Sequence, residues 1–421
     1  MTIVLGAIAD DFTGATDLAG TWVREGVKTV QTVGVPGAGT DIGDAEAVVV
    51  ALKSRTASVG EAVDRSLEAL QWLREAGARQ IVFKYCSTFD STEKGNIGPV
   101  ADALADALGA DFALVCPAFP TNGRTIYRGY LYVGDMLLAE SPMKDHPLTP
   151  MRDSSLIRLM AAQSRGRVGL VPLQDVSAGV EAIRSCISAL KADGVRYGVV
   201  DAVADADLRR IGEAAADHKL VTGGSGIGMG LPGNFRRSGL LSAGSDPALP
   251  EAAGREVVLA GSCSAATRAQ IAAVEGVWPA RKLDPDGLAA GPGEVEDTIE
   301  WALGRPADAP ILVYASAGPD EVSEVQARYG VERAGCMIES AFERIAATLV
   351  DNGFSRIVVA GGETAGAVVS SLGVTALRIG PEIAPGVPWT EAVGDRPLAL
   401  ALKSGNFGSE SFFADAFGML L

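Results

Sequence analysis

GAIADDFTGATDLAG, residues Gly6–Gly20, is the stretch on which the fold turns. Met1–Ile8 reads as a buried strand, because Ile3, Val4, Leu5 and Ile8 are strand formers without polar alternation. At its end stand Asp10 and Asp11, then Thr13, Gly14, Thr16 and Asp17, and Leu18, Trp22 and Val23 set up a helix. A strand that ends in carboxylates and turns tightly into a helix is where open α/β sheets place their chemistry. The helix N-terminus attracts an anion, and a carboxylate beside it can act as a base or hold a metal. The plainer reading, that Asp11 or Thr13 caps a helix, leaves Asp10 and Asp17 unexplained.

Composition narrows the field. A chain of 421 residues exceeds one ordinary core, so two or three domains are expected. With 48% hydrophobic and 21% charged residues it reads as globular. A formal charge of −16 argues against nucleic acid or an anionic membrane as partner, and an anion site must supply its own cations. No apolar run reaches membrane-spanning length and no leader resembles a signal peptide, so a cytoplasmic location is expected. Cys86, Cys116, Cys186, Cys263 and Cys336 are scattered and never spaced as CxxC. With only His146 and His218, a zinc site or Ser-His-Asp triad is poorly supplied, which removes most hydrolase readings.

Downstream, apolar runs at Thr29–Val33, Ala47–Leu52, Gln80–Tyr85, Phe112–Cys116, Val168–Pro172, Gly198–Asp201 and Leu220–Thr222 alternate with helical segments. Ser58–Ala76 is one such segment, with Ala62, Leu67, Leu70 and Leu73 on one face. This alternation predicts an α/β fold whose mostly parallel sheet is covered by helices on both sides. Lys53 and Arg55 follow one strand, Lys84 closes the next, and Arg124 follows Phe112–Cys116. All leave strands at their carboxyl ends, so these four cations are expected beside Asp10 and Asp11. There they would offset the acidic field and bind a carboxylate, for which the Arg fork is well suited. Ser87, Thr88, Asp90, Ser91 and Asn96 would hydrogen-bond hydroxyls, and the whole reads as a pocket for a small polyhydroxy acid. Any single one of the cations reads more plainly as a solvated surface charge. Val221–Asn234, VTGGSGIGMGLPGN, reads equally as a backbone anion nest or as glycines that let a helix pack on a strand. It has neither dinucleotide-fingerprint spacing nor the Lys of a P-loop, which disfavours a dehydrogenase.

Ser238–Gly254 is rich in Ser, Ala, Gly and Pro without periodicity and reads as a linker. Beyond it, strands at Glu256–Ala260, Ile311–Ala315, Arg356–Ala360, Thr375–Ile379 and Leu398–Leu402 open a second α/β unit. Three strand ends are built alike: GSCSAAT (Gly261–Thr267), GGETAGAV (Gly361–Val368) and KSGNFGSE (Lys403–Glu410). Gly361 and Gly362 let a ligand approach the backbone, and the helix that Glu363 and Thr364 open would face a phosphate. Ser262 and Ser264 would donate to it and Lys403 would add charge. Glu363 would bind a ribose hydroxyl or help hold Mg²⁺ through water. Small residues are also expected at ordinary αβ turns, but three such loops in one unit point to a nucleotide.

These residues, in this order, resemble the four-carbon acid sugar kinases. GAIADDFTGATDLAG, ALKSR, FKYCSTFDSTEKGNIGPV, VCPAFPTNGRT, VTGGSG, AGSCSAAT, AGGETAG, APGVPW and ALKSGNFG span nearly the whole chain, and the likeness is greatest to the 3-oxo-tetronate kinases. Ala365 stands where relatives often carry Ser. The resemblance implies a sugar-acid-binding domain (1–237), a linker (238–254) and a nucleotide-binding domain (255–421), with the active site in the cleft between the domains. It implies ATP-dependent 4-phosphorylation of 3-oxo-tetronate, with ATP contacted by Ser262, Gly361, Gly362, Glu363, Thr364 and Gly405. A sugar acid and ATP are then the partners, Mg²⁺ the cofactor with its ligands left open, and a homodimer is left open too. Phosphoryl transfer needs a proton acceptor for the attacking hydroxyl. Asp10, Asp11 and Asp17 are the nearest carboxylates, with Asp10 the expected base and Arg55 and Lys84 the expected holders of the substrate carboxylate. A D-threonate or D-erythronate 4-kinase is the nearest alternative, and a non-catalytic sugar-acid sensor the alternative from another class.

Overall fold

Strand β1 (Leu5–Ala9) is buried along its whole length, as a strand covered on both faces must be. The computed structural model describes residues 3–420 apart from 38, 147, 243, 245, 246 and 395. Met1 and Thr2 of the expected first strand, and part of the expected linker, therefore lie outside the described residues. Contacts divide the chain into two compact units, Met1–Ser245 and Asp246–Leu421.

In the first unit β1 is followed by β2 (Thr29–Val33), β3 (Ala47–Ala51), β4 (Gln80–Lys84) and β5 (Ala113–Cys116). A ribbon of β6 (Arg124–Tyr127), β7 (Tyr130–Val133) and β8 (Met136–Leu137) comes next, then β9 (Arg167–Val171), β10 (Val195–Val200) and β11 (Leu220–Gly223). Apart from the ribbon, these strands run in the order β2-β3-β1-β4-β11-β5-β10-β9, and every neighbouring pair is parallel. β4 lies across β1 from β2 and β3, so the loops leaving β1, β3 and β4 meet where the winding changes direction. Open α/β sheets bind ligands at such a switch point. Ala9 is in register with Ala51 and Lys84. The amides of Ser54 and Arg55 donate to the Asp10 carbonyl at 3.0 and 3.1 Å, and the Asp10 amide donates to the Lys84 carbonyl at 3.0 Å. Three loops are thereby laced together directly above β1.

The second unit holds β12 (Arg255–Ala260), β13 (Ala280–Lys282), β14 (Ile311–Tyr314), β15 (Phe354–Ala360), β16 (Ala376–Ala384), β17 (Val387–Ala392) and β18 (Ala399–Lys403). Their order is β13-β14-β12-β15-β18-β17-β16, parallel as far as β18 and antiparallel beyond. Its core gathers Val258, Val358, Phe412 and Phe413 around a fully buried Trp389, whose indole donates to the Ala416 carbonyl at 2.9 Å. Each unit is thus a mostly parallel sheet flanked by helices, as the alternation predicts. Among the described residues no helix is long and apolar enough to cross a membrane.

The glycine-rich run after β11 is explained by close packing. A Cβ on Gly223 would lie 2.2 Å from the Cys116 carbonyl oxygen, one on Gly226 2.6 Å from that of Ala118, and one on Gly228 2.7 Å from Leu18. Of its two sequence readings, the packing one accounts for these glycines. Gly223→Ala is expected to destabilise the protein by about 1–3 kcal/mol through overpacking against backbone. Urea denaturation checks this, and an unchanged midpoint would contradict it.

Candidate functional site

In the first unit the site grows from one guanidinium. Arg55 Nε and Nη2 donate to the two carboxylate oxygens of Asp10, both at 2.9 Å. Nη2 also lies 2.9 Å from Asp11 Oδ1, and Nη1 lies 3.7 Å from Asp90 Oδ2. Asp11 is the N-cap of the helix Phe12–Arg24, accepting from the Gly14 amide and the Thr13 hydroxyl, each at 3.1 Å. Capping and ion pairing are both true of it. Lys84 is buried, with its Nζ 3.9 Å from Asp11 Oδ1; among the described residues that is its one ion pair, and its ammonium makes no hydrogen bond. Gly14 is what admits it, since a Cβ there would lie 2.1 Å from Lys84 Nζ.

These charges set the two aspartates apart. Burial raises the Asp10 pKa above the ordinary carboxylate value, with Arg55 opposing. Burial acts on Asp11 too, but there Arg55 and Lys84, helped by the Thr13 and Gly14 hydrogen bonds, prevail and hold it below that value. Asp10 is therefore the stronger base of the pair. Asp17 is buried on the helix Phe12–Arg24.

Asp90 reaches Arg55 from a strained turn. Phe89 and Asp90 have φ of 66° and 43°, consecutive left-handed residues that are not glycine. The fully buried Phe89 ring packs edge-on against Tyr85 at 5.5 Å, and Thr88 Oγ1 donates to Asp90 Oδ1 at 2.7 Å, which together hold the turn. Asn96 Nδ2 donates to the carbonyls of Ser54, Arg55 and Ala57, fixing the loop that carries Arg55. Ser91 donates to Gln163 Oε1 at 3.1 Å, and Gln163 returns a bond to the Thr92 carbonyl at 2.6 Å. Thr88, Ser91 and Asn96, expected to meet substrate hydroxyls, thus have these polar groups engaged in building the site. Ser87 is half-buried. Ser54 and Asp90 line, with Asp10, Arg55, Phe83, Ile97 and Val100, a shallow recess open to solvent.

Of the other two expected cations, one is exposed and the other is engaged by its own turn. Lys53 is exposed. Arg124 begins β6, and its Nη1 donates to the Asn122 carbonyl, so the tight turn before the ribbon takes it up locally. Among the described residues no ion pair joins Arg124 to the aspartates. Gln163 and Ser54 were not singled out by sequence; Gln163 lies at the end of a distant helix, and no local pattern marks it.

In the second unit the three small-residue loops meet. A Cβ on Gly405 would lie 2.2 Å from Ser262 Oγ, and one on Gly261 would lie 2.1 Å from Thr364 Oγ1. Gly361 has φ of 131°, which requires glycine, and its amide donates to the Lys403 carbonyl at 2.9 Å. Ser264 caps the helix Ala265–Val274 by accepting from the Thr267 amide, and it donates to the Gly405 carbonyl at 2.6 Å. Thr267, missed at the sequence level although it follows the cap by three positions, also donates to Gly405, at 2.9 Å. Glu363 is exposed on the first turn of the helix Gly362–Ser371. Among the described residues no cluster of three or more acidic, His or Cys side chains could hold a metal by itself.

Lys403 overturns one expectation. It is fully buried, and its Nζ donates to Thr267 Oγ1, the Ser404 carbonyl and the Gly405 carbonyl at 3.0, 3.1 and 2.8 Å. An ammonium has three N–H donors, so none is left for a phosphate. Lys403 pins the Ser404–Gly405 loop instead.

A family model described as a sugar-binding N-terminal domain matches residues 5–231, and one described as a nucleotide-binding C-terminal domain matches residues 257–413. A 3-oxo-tetronate kinase of Cupriavidus necator is 57% identical over 99% of this chain and 97% of its own length. That of Pseudomonas fluorescens is 55% identical over 99% and 97%. A crystal structure of a Haemophilus influenzae protein superposes with a TM-score of 0.82 and 48% identity, covering 99% of this chain and all of that one.

Burial pushes the Lys403 ammonium from 10.5 down to about 7. Between these values the unfolded chain holds the extra proton, so this group makes stability rise as pH increases from about 7 to 10.5. Denaturation midpoints of wild type and Lys403→Met across that window check it. The wild type should gain on the variant as pH rises; parallel profiles would refute the assignment.

Proposed function

Because this chain belongs to the four-carbon acid sugar kinase family, we propose that it transfers the γ-phosphoryl group of ATP to the terminal (C4) hydroxyl of 3-oxo-tetronate, giving ADP and 3-oxo-tetronate 4-phosphate. The observation that carries this reading is the near-full-length identity to 3-oxo-tetronate kinases. The first unit takes the acid and the second takes the nucleotide. The reaction belongs to the catabolism of four-carbon acid sugars, and a cytoplasmic setting, where ATP is at hand, goes with it.

The acid carboxylate binds the Lys84 ammonium, which makes no hydrogen bond among the described residues, and the Nη1 edge of Arg55. Asp10 is the base. Its burial favours taking up a proton, and the Arg55 fork holds it in one orientation until the C4 hydroxyl proton passes to it. As the substrate carboxylate draws Arg55 toward itself, Asp10 loses part of its stabilising charge and becomes more basic. Asp11 stays ionised and anchors both cations.

The nucleotide phosphates lie against the amides that open the helix Gly362–Ser371 and the Ser262 hydroxyl, with Gly361 and Gly405 leaving the approach clear. Mg²⁺ fits as an ion carried mainly by the phosphates, with Glu363 the carboxylate placed to hold it through water. When bound, it neutralises charge that develops on the transferring phosphoryl group.

A coupled ADP-release assay over 3-oxo-tetronate, D-threonate and D-erythronate tests the reading. The 3-oxo acid should be preferred by at least about tenfold in kcat/KM, since one carbonyl in place of a hydroxyl changes the hydrogen bonding of the site. No turnover of the 3-oxo acid, or preference for a hydroxy acid, would overturn it. Asp10→Asn should lower kcat by roughly 10²–10⁴-fold with the KM for ATP unchanged. Near-normal turnover of a folded variant would remove Asp10 as base.

A further inference from the structure

With Lys403 engaged by its own loop, the nucleotide loops lack the cation that a polyphosphate needs. We propose that Arg268 supplies it, as a phosphate-binding residue of the second unit. Among the described residues of that unit, Arg268 is the one Lys or Arg whose side chain has no hydrogen bond, ion pair or aromatic contact. Arg281, Lys282, Arg328, Arg344, Arg356, Arg378 and Arg396 are ion-paired. Arg255 and Arg305 donate to carbonyls, and Arg333 stacks on Tyr329. Arg268 is also half-buried, and its Nε is a buried donor without a partner. A buried donor left open is costly unless something else satisfies it.

Its position says what that is. Arg268 lies on the first turn of the helix Ala265–Val274, directly after the Ser262–Ser264 loop. Helical side chains lean toward the helix N-terminus, so Arg268 reaches back over that loop toward the carboxyl ends of β12 and β14. There its Nη1 lies 3.6 Å from where a Cβ on Gly318 would be. The Gly318 loop is joined to the same place, because Ser316 Oγ donates to the Ser262 carbonyl at 2.5 Å. An unpaired guanidinium against the Gly318 loop, which Ser316 ties to Ser262, has in a chain of charge −16 the fork geometry and the charge for a nucleotide phosphate. It binds the polyphosphate and leaves the nucleoside to other residues.

This inference rests on the reading of the second unit as a nucleotide site, and its test separates the two. The KM for ATP and the inhibition constant of adenosine against ATP are measured on wild type and Arg268→Gln, with the acid saturating. The variant should raise the KM for ATP by about 10- to 100-fold, the effect of losing a charge-assisted hydrogen bond, and leave the adenosine constant unchanged. Arg268→Lys should fall between them, and it serves alone if the Gln variant does not fold. An unchanged KM for ATP in either folded variant, or a loss shared equally by ATP and adenosine, would overturn the role of Arg268. A wild type that does not use ATP at all would overturn the reading of the site instead.

Discussion

One guanidinium among three carboxylates constrains the whole first unit. Arg55 binds Asp10 twice through its side chain and once through its own amide, and it touches Asp11 and faces Asp90. Removing one partner from a buried ion pair commonly costs about 3–5 kcal/mol, because the remaining charge stays buried. The surrounding structure serves to keep that from happening. Asn96 ties down the loop of Arg55, the Phe89–Asp90 turn accepts backbone strain to bring in the third carboxylate, and Gly14 yields its side-chain space to Lys84. The cluster thus holds two cations, Arg55 and Lys84, among three carboxylates.

The second unit solves a different problem with smaller means. Three loops are brought so close that side chains are excluded at Gly261 and Gly405, and the buried Lys403 side chain ties two of them together. Such packing leaves backbone amides as the surface offered to a ligand, which suits phosphates better than it suits sugars. Lys403 is consumed in shaping the loop, whereas Arg268 Nε is a buried donor without a partner.

Much of this was legible in the residues. Uninterrupted apolar runs such as Ala47–Ala51 and Ile311–Tyr314 mark buried parallel strands, and the polar groups at their ends had to converge because parallel strands share a carboxyl edge. Short or interrupted strands escaped: β13 has three residues, and β17 carries Pro388, which weakens any strand signal. The β6–β7 ribbon turns through Arg128 and Gly129, both at positive φ, and Arg in the first of these places does not announce a hairpin. In the site, sequence order marked polar residues at strand ends but could not reveal which groups they partner. Arg55 was visible as a cation at a strand end, but its engagement by Asp10 was not. Lys403 read as a phosphate ligand because spacing cannot reveal that three acceptors surround its ammonium. Gln163 gave no signal, since it acts on a loop far away in the chain.

The exchange of Arg55 between its own aspartates and the substrate carboxylate is the central claim, and Arg55→Lys tests it most directly. Lysine keeps the charge but cannot fork, so the variant should raise the KM for 3-oxo-tetronate and lower kcat, each by about tenfold or more, while the KM for ATP stays as in wild type. A folded variant with wild-type KM for the acid and wild-type kcat would contradict the account.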